Sequence, residues 1–289
     1  MLGAVLMAAA GSPLAAQRRP VPAVLSYPAN VRAAGLAGAG VAMTGYAGSV
    51  FNNPSGLAPI RALSLEMTLA RLPDRSTYSM AAAAARIGTF NLGGGYQYLR
   101  LPKGGPVTDN VRGVGTAVYR RGGIALGTSA KYVSLEDSAG VVTRSGTTDV
   151  GATVALFEIA ALALSVHNLG DWSGSNGGLE LPRSWHLGFS FNLLDSFSNG
   201  RLLTTIETVW TEGQRRRTVM GLEAGAVLKG LGVVARIGHG GQPGDVAGTL
   251  SKTTYGGSLV AGEVRLDYAY QQRSLLGNGV HLFGVRWTP

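Results

Sequence analysis

The sequence predicts an all-β protein: a transmembrane antiparallel β-barrel of about fourteen strands with an N-terminal plug segment in its lumen. Three observations predict it. Apolar and polar residues alternate with a period of two over segments of mostly 9–13 residues, close to the roughly 9–11 that cross a bilayer when tilted. The connections between these segments alternate between long and tight. Charge is sparse, at 14% of 289 residues, with 44 glycines and a mean hydropathy just above zero, whereas a water-exposed surface carries about 25–35% charged residues.

Beyond the extreme N-terminus, no run of roughly 18 apolar residues offers a spanning helix. A closed barrel is the other structure that satisfies its backbone in lipid. The chain has no cysteine, which excludes disulfides, thiolate nucleophiles and cysteine metal sites. The net charge of +9 is dispersed apart from Arg215, Arg216 and Arg217 and is not interleaved with aromatic residues. That pattern argues against nucleic acid and suits a barrel rim facing acidic lipid headgroups.

In chain order, LGAVLMAAAGSPLAAQ reads as a secretory signal, with an apolar core followed by small residues. The expected division is a signal peptide over 1–17, a lead-in and lumen plug over 18–60, and the barrel over 61–289. Residues Val31–Ile60 are rich in Gly and Ala, carry one charge (Arg32), and end in an Asn-Pro turn. The alternation then begins. In Arg61–Arg71, Leu65, Met67 and Leu69 share one face while Ser64, Glu66 and Thr68 share the other. Thr77–Arg86 is an Ala-rich strand, and Thr89–Leu99 puts Phe90, Leu92, Tyr96 and Tyr98 on one side. Further strands are expected at Gly113–Arg120, Gly123–Leu135, Arg144–Phe157, Ile159–Asn168 and Ser184–Leu193. The remainder are Arg201–Trp210, Thr218–Leu228, Gly232–His239, Leu250–Val260, Glu263–Gln271 and Val280–Trp287.

The odd connections read as long and polar: LPDRS, LPKGGPVTDNVR, EDSAGVVT, LGDWSGSNGGLELP, TEGQRRR, GHGGQPGDVAG and QRSLLGNG. The even ones are tight, as at Ile87-Gly88, Arg121-Gly122, a turn around Glu158, Lys229–Leu231 and Ala261-Gly262, with Asp195–Gly200 longer. A barrel with outer loops and periplasmic turns keeps that asymmetry; a sandwich with Greek-key crossings has no reason to. With the apolar face on lipid, the charges Glu66, Lys131, Glu207, Glu223, Arg236, Arg265, Asp267 and Arg286 all fall inward. A basic residue on lipid at mid-depth would cost about 2–4 kcal/mol. Two roles stand for these charges: ion pairs that fill a narrow lumen, or groups that hold the plug through Arg32 or line a solute path.

No catalytic constellation emerges. GLAGAG at Gly35–Gly40 has the glycine spacing of a dinucleotide loop but lacks the preceding strand and the acidic residue about 20 positions on. His167, His186, His239 and His281 are scattered, and His167 with Asp171 reads as a polar strand end. No cofactor and no metal are expected.

Within the plug, Gly38 and Gly40 precede a helix-like AGSVF and then Asn53, Pro54, Ser55, Gly56 and Leu57. Asn before Pro favours a turn entry, and Pro can start a short helical turn. This arrangement, leading into a first strand, resembles the start of FadL-type outer-membrane transporters and their PorV/PorQ relatives. The matching family motif is Asn-Pro-Ala-Gly-Leu, and Ser55 stands here in place of Ala. The resemblance implies a fourteen-stranded barrel with a hatch in the lumen and passive passage of hydrophobic or amphipathic small molecules across the bacterial outer membrane. The brief loops lean toward the compact PorV/PorQ-like branch. Some of its members serve the type IX secretion system, so secretion-system proteins are the partners of the alternative reading. A secreted β-rich binding or structural protein is the third. VHLFGVRWTP resembles the final strand read by the barrel-assembly machinery, with Phe283 and Trp287 toward lipid and a departure in the terminal Thr-Pro. Both termini are expected in the periplasm.

Overall fold

The computed structural model describes residues 22–72, 75–102, 107–157, 159–172, 179–194, 200–241, 252–274 and 277–289. The expected signal peptide and the turn residue Glu158 lie outside them. The strands are β1 (Leu63–Arg71), β2 (Thr77–Ile87), β3 (Phe90–Arg100), β4 (Val107–Arg121), β5 (Ile124–Asp137), β6 (Val142–Leu156) and β7 (Ala160–Leu169). They continue as β8 (Ser184–Leu194), β9 (Gly200–Thr211), β10 (Arg217–Leu228), β11 (Leu231–Gly240), β12 (Thr253–Ala261), β13 (Val264–Ser274) and β14 (Gly277–Trp287). Each pairs antiparallel with its chain neighbours, and β14 closes on β1 with Leu65 opposite Trp287 and Leu69 opposite Phe283. Closure leaves no strand edge unpaired. Because the strand number is even, the start of β1 and the end of β14 lie at the same end as the tight turns.

The period-two reading fixes the faces. Leu65, Met67, Leu69, Phe90, Leu92, Tyr96, Trp185, Leu187, Phe189 and Phe283 are exposed on the outer wall, while Ser64, Glu66 and Thr68 are buried inside. Glycine supplies the tight turns. Gly88, Gly122 and Gly262 open two-residue hairpins with φ of 62°, 58° and 56°, the left-handed backbone such turns require.

Three expected loops are partly strand instead. β4 begins at Val107 rather than Gly113, with Asn110 opposite Leu99 and Arg112 opposite Gln97. Asn110 and Arg112 are buried in the lumen. Polar residues that signal a loop on a soluble surface are ordinary inward positions in a barrel with a polar interior. Likewise Gln272–Gly279 was expected to be a long connection, yet Arg273 pairs with Asn278 and Ser274 with Gly277, leaving a two-residue connection at 275–276. The fifth connection likewise shrinks to 138–141.

The N-terminal segment lies inside. It contains helices α1 (Ala23–Ser26) and α2 (Val31–Gly35), then 3₁₀ turns over Ala47–Phe51 and Pro54–Leu57. Asn30 caps α2, its side-chain oxygen accepting from the Ala33 N–H at 2.8 Å. Asn53 caps the second 3₁₀ turn, and Pro54 occupies its first position, where the missing N–H costs nothing. Val24, Ala34, Leu36, Ala47, Val50 and Leu57 have no solvent exposure. The apolar core is therefore the contact between this plug and the inner wall. Among the described residues, no helix is long and apolar enough to cross a membrane.

Candidate functional site: the plug and its anchors

Four anchors hold the plug. The first is Arg32, whose Nε and Nη2 donate to the two carboxylate oxygens of Glu223 on β10, both at 2.9 Å. A two-pronged guanidinium–carboxylate pair fixes orientation as well as distance. Glu223 also accepts from Arg236 Nε on β11 (2.6 Å). Arg236 reaches Asp267 (3.2 Å), which Arg265 meets at 3.1 Å, and Ser258 donates to the same Asp267 oxygen. Burial alone would lower the Arg32 pKa, but Glu223, Tyr46 and Asp267 together outweigh it and hold the guanidinium above its ordinary value.

The second anchor is Glu207 on β9. One of its oxygens accepts from the backbone N–H groups of Gly40 (2.7 Å) and Val41 (3.0 Å). The other accepts from His186 Nδ1 at 2.8 Å. The third is Glu66 on β1, which accepts from the Gly48 N–H at 2.9 Å and has Arg286 Nη2 3.7 Å away. Tyr46 sits between two cations, its ring centroid 5.5 Å from the Arg32 guanidinium and 4.7 Å from that of Arg286. Burial pushes the Tyr46 phenol up, so it stays protonated.

The fourth anchor gathers around the Asn-Pro turn. Asn53 donates to the Val41 carbonyl (2.8 Å) and to Thr153 Oγ1 (3.2 Å), and Ser55 Oγ lies 2.7 Å from the same Thr153 oxygen. The Asn52 carbonyl accepts from His167 Nε2 (3.0 Å). His167 Nδ1 lies 3.1 Å from Asp149, which pairs with Lys131 at 2.6 Å. Arg112 donates to the Phe51 carbonyl at 2.8 Å.

The wall is thinned where the plug backbone touches it. A Cβ on Gly238 would lie 2.2 Å from Ala37 N, and one on Gly127 would lie 2.6 Å from the Pro54 carbonyl carbon. Gly151 leaves room for Asn53, and Gly221 for Leu36. In the plug itself, Gly38 takes φ +88°, Gly40 clears the Asn52 side chain, and Gly56 clears Ser49. Leu57 packs over Gly93 of β3.

All of the inward charges expected from the sequence are buried or nearly so. Glu66, Glu223, Arg236, Arg265, Asp267 and Arg286 share one network with Arg32, Glu207 meets the plug separately, and Lys131 belongs to the Asp149 cluster. Sequence reasoning missed Arg112 and Thr153 as plug partners, and Asp149 and His186 as the residues that orient His167 and Glu207. His167, read with Asp171 as a polar strand end, lies in the lumen 3.1 Å from Asp149. The missed signal was parity: Thr147, Asp149, Gly151 and Thr153 alternate inward along β6. Among the described residues, no group of three His, Asp or Glu side chains could hold a metal ion.

No protein-family model and no curated protein matches the chain. Solved structures do. The chain is similar to the CymD monoaromatic hydrocarbon channel at 13% identity, with a TM-score of 0.66 and coverage of 91% of this chain and 98% of that one. It is similar to the Ralstonia pickettii toluene transporter TbuX at 11% identity (TM-score 0.59; 92% and 99% covered). The Pseudomonas putida toluene transporter TodX gives 11% identity and a TM-score of 0.58, with 90% and 96% covered. The fold is thus that of the FadL-type outer-membrane channels, an all-β closed antiparallel barrel with a segment of short helices packed inside.

Proposed function

We propose that the chain is a passive outer-membrane channel for hydrophobic or amphipathic small molecules, with its tight turns and both termini in the periplasm and the plug as its hatch. The observation that carries this reading is a plug of short helices seated in a closed fourteen-stranded barrel. The structures with the same architecture are described as hydrocarbon channels and toluene transporters. The plug is held by directional polar contacts and small residues rather than by continuous secondary structure, so it can shift without opening the barrel wall.

The test uses the absence of native cysteine. Ser55→Cys with Thr153→Cys places thiols where the two hydroxyl oxygens are 2.7 Å apart, tying the plug to β6 when oxidised. Cells whose outer membrane carries this chain should take up an aromatic hydrocarbon faster than cells without it. Oxidation of the double variant should remove that gain and reduction should restore it. Uptake equal to that of cells lacking the chain would sink the reading, and uptake indifferent to the crosslink would remove the hatch role.

A further inference from the structure

The seam that closes the barrel is short. Among the described residues, β1 and β14 pair from Leu65–Trp287 to Leu69–Phe283, the least extended of the fourteen strand pairings. β4 and β5, by contrast, pair from Val107–Asp137 to Arg121–Ile124. The side chains on the inner face of the seam add little to it. Glu66 stands opposite Arg286, yet Arg286 Nη2 lies 3.7 Å from the carboxylate, beyond hydrogen-bond length. Arg286 Nε and Nη2 and the Thr68 hydroxyl are buried with no hydrogen-bond partner. Thr68 stands opposite Gly284, which has no side chain to offer.

The plug covers the inward rows of this seam one after another. Ser64, 3.5 Å from Thr288 through their hydroxyl oxygens, accepts from the Ala47 N–H at 3.1 Å. In the next row, the Gly48 N–H donates to Glu66 at 2.9 Å and the Tyr46 ring lies 4.7 Å from the Arg286 guanidinium. In the third, Val31 takes the space that Gly284 leaves, since a Cβ there would lie 2.8 Å from Val31 Cγ2. Arg32, next in the chain, is bolted to Glu223 on β10 at 2.9 Å. The helix α2, which also rests on β12 and β13, therefore bears on β14 from a fixed support. Two short stretches of plug, Val31–Arg32 and Tyr46–Gly48, thus touch both strands of the seam.

We propose that these stretches form a clasp that keeps the β1–β14 seam closed, whatever solute the barrel passes. Segments held by few contacts open locally before the rest of a fold does. A cover that grips both strands adds its own contacts to those that opening must break. A hatch movement that leaves the wall closed is then confined to the opposite face of the plug. There the turn Asn52–Leu57 meets Thr153 on β6 and His167 on β7, across the lumen from the seam.

Amide exchange of the full chain in detergent, read strand by strand, tests the clasp. Val31→Ala/Tyr46→Ala changes plug residues alone and leaves every seam residue in place. The amides of Leu65–Leu69 and Phe283–Trp287 should exchange at least ten times faster in this variant, with those of β4 and β5 at the parent rate. Asn53→Ala, on the far face of the plug, should leave the seam at the parent rate. Met67 and Val285 stand opposite each other and exposed on the outer wall. Met67→Cys/Val285→Cys can therefore lock the seam in a chain with no other cysteine. Oxidation of that pair should return the seam of the plug variant to the parent rate, and reduction should release it. If the plug variant by itself loses heat-modifiable gel mobility, the oxidised pair should restore it. Parent-rate exchange at the seam of the plug variant, equal acceleration in all strands, an equal effect of Asn53→Ala, or no rescue by the oxidised pair would each overturn the proposal.

Discussion

At the scale of single residues, Arg32 and Gly238 test the plug–wall contact from opposite directions. Arg32→Ala removes two charge-assisted hydrogen bonds from Glu223, each such bond being worth about 1.5–3 kcal/mol. Glu223 retains Arg236 and the more distant Arg265, so the loss should fall short of the ~3–5 kcal/mol of a fully orphaned buried charge. The variant should unfold at a lower temperature in a band-shift melt, and the Arg32→Ala/Glu223→Gln pair should recover part of the difference. Gly238→Ala asks for space instead. Its new methyl would meet the backbone of Leu36 and Ala37, which no rotamer change can relieve, and such overpacking costs about 1–3 kcal/mol. Gly113→Ala is the matched control, because a Cβ there meets nothing within 4 Å. If the two alanine variants melt alike, the close approach of the plug to β11 is wrong.

At the scale of elements, the strands were legible and the plug's contacts were not. A period of two recurs wherever one face meets lipid and the other does not, so Leu65, Met67 and Leu69 announced β1 and Trp185, Leu187 and Phe189 announced β8. The start of β4 was hidden because Asn110 and Arg112 look like loop residues until a polar interior is available to receive them. Parity says that Asp149 points inward; it does not say that Asp149 will meet Lys131 and His167 beneath the Asn52 carbonyl. The wall glycines were likewise unreadable as plug clearances, since their partners lie in a distant part of the chain. The Asn-Pro turn was readable because its chemistry is local. Asn53 both caps the Pro54–Leu57 turn and ties it to Val41 and Thr153. Loss of a capping side chain alone costs about 0.5–2 kcal/mol. Asn53→Ala should therefore loosen residues 41–57 first, seen as faster amide exchange there with the β-barrel strands unchanged. Uniform loss of protection across the strands would contradict that order.

At the scale of the whole molecule, the closed ladder from β1 to β14 joins every strand to two neighbours, and the outward apolar wall needs a lipid or detergent layer. The purified chain should partition with membranes and run at different gel mobilities before and after boiling. A soluble, heat-insensitive product would remove the membrane assignment. Paired charges hold the plug along the middle of the lumen.

The span of the plug's bonds also sets an order of assembly. Arg32 meets a residue 191 positions later in the chain, the Gly40 amide one 167 later, and the Ala37 amide one 217 later. Contacts of such sequence separation form late, because a long loop must close before any of them contributes. The N-terminal segment is therefore among the last to be fixed. Until β9 to β12 are in place those three acceptors do not exist, and the barrel must close around a strip of chain still lacking these partners. The scarcity of charge and bulk in Val31–Ile60 then has a second use: a strip of Gly and Ala can wait in an unfinished lumen without committing to another structure.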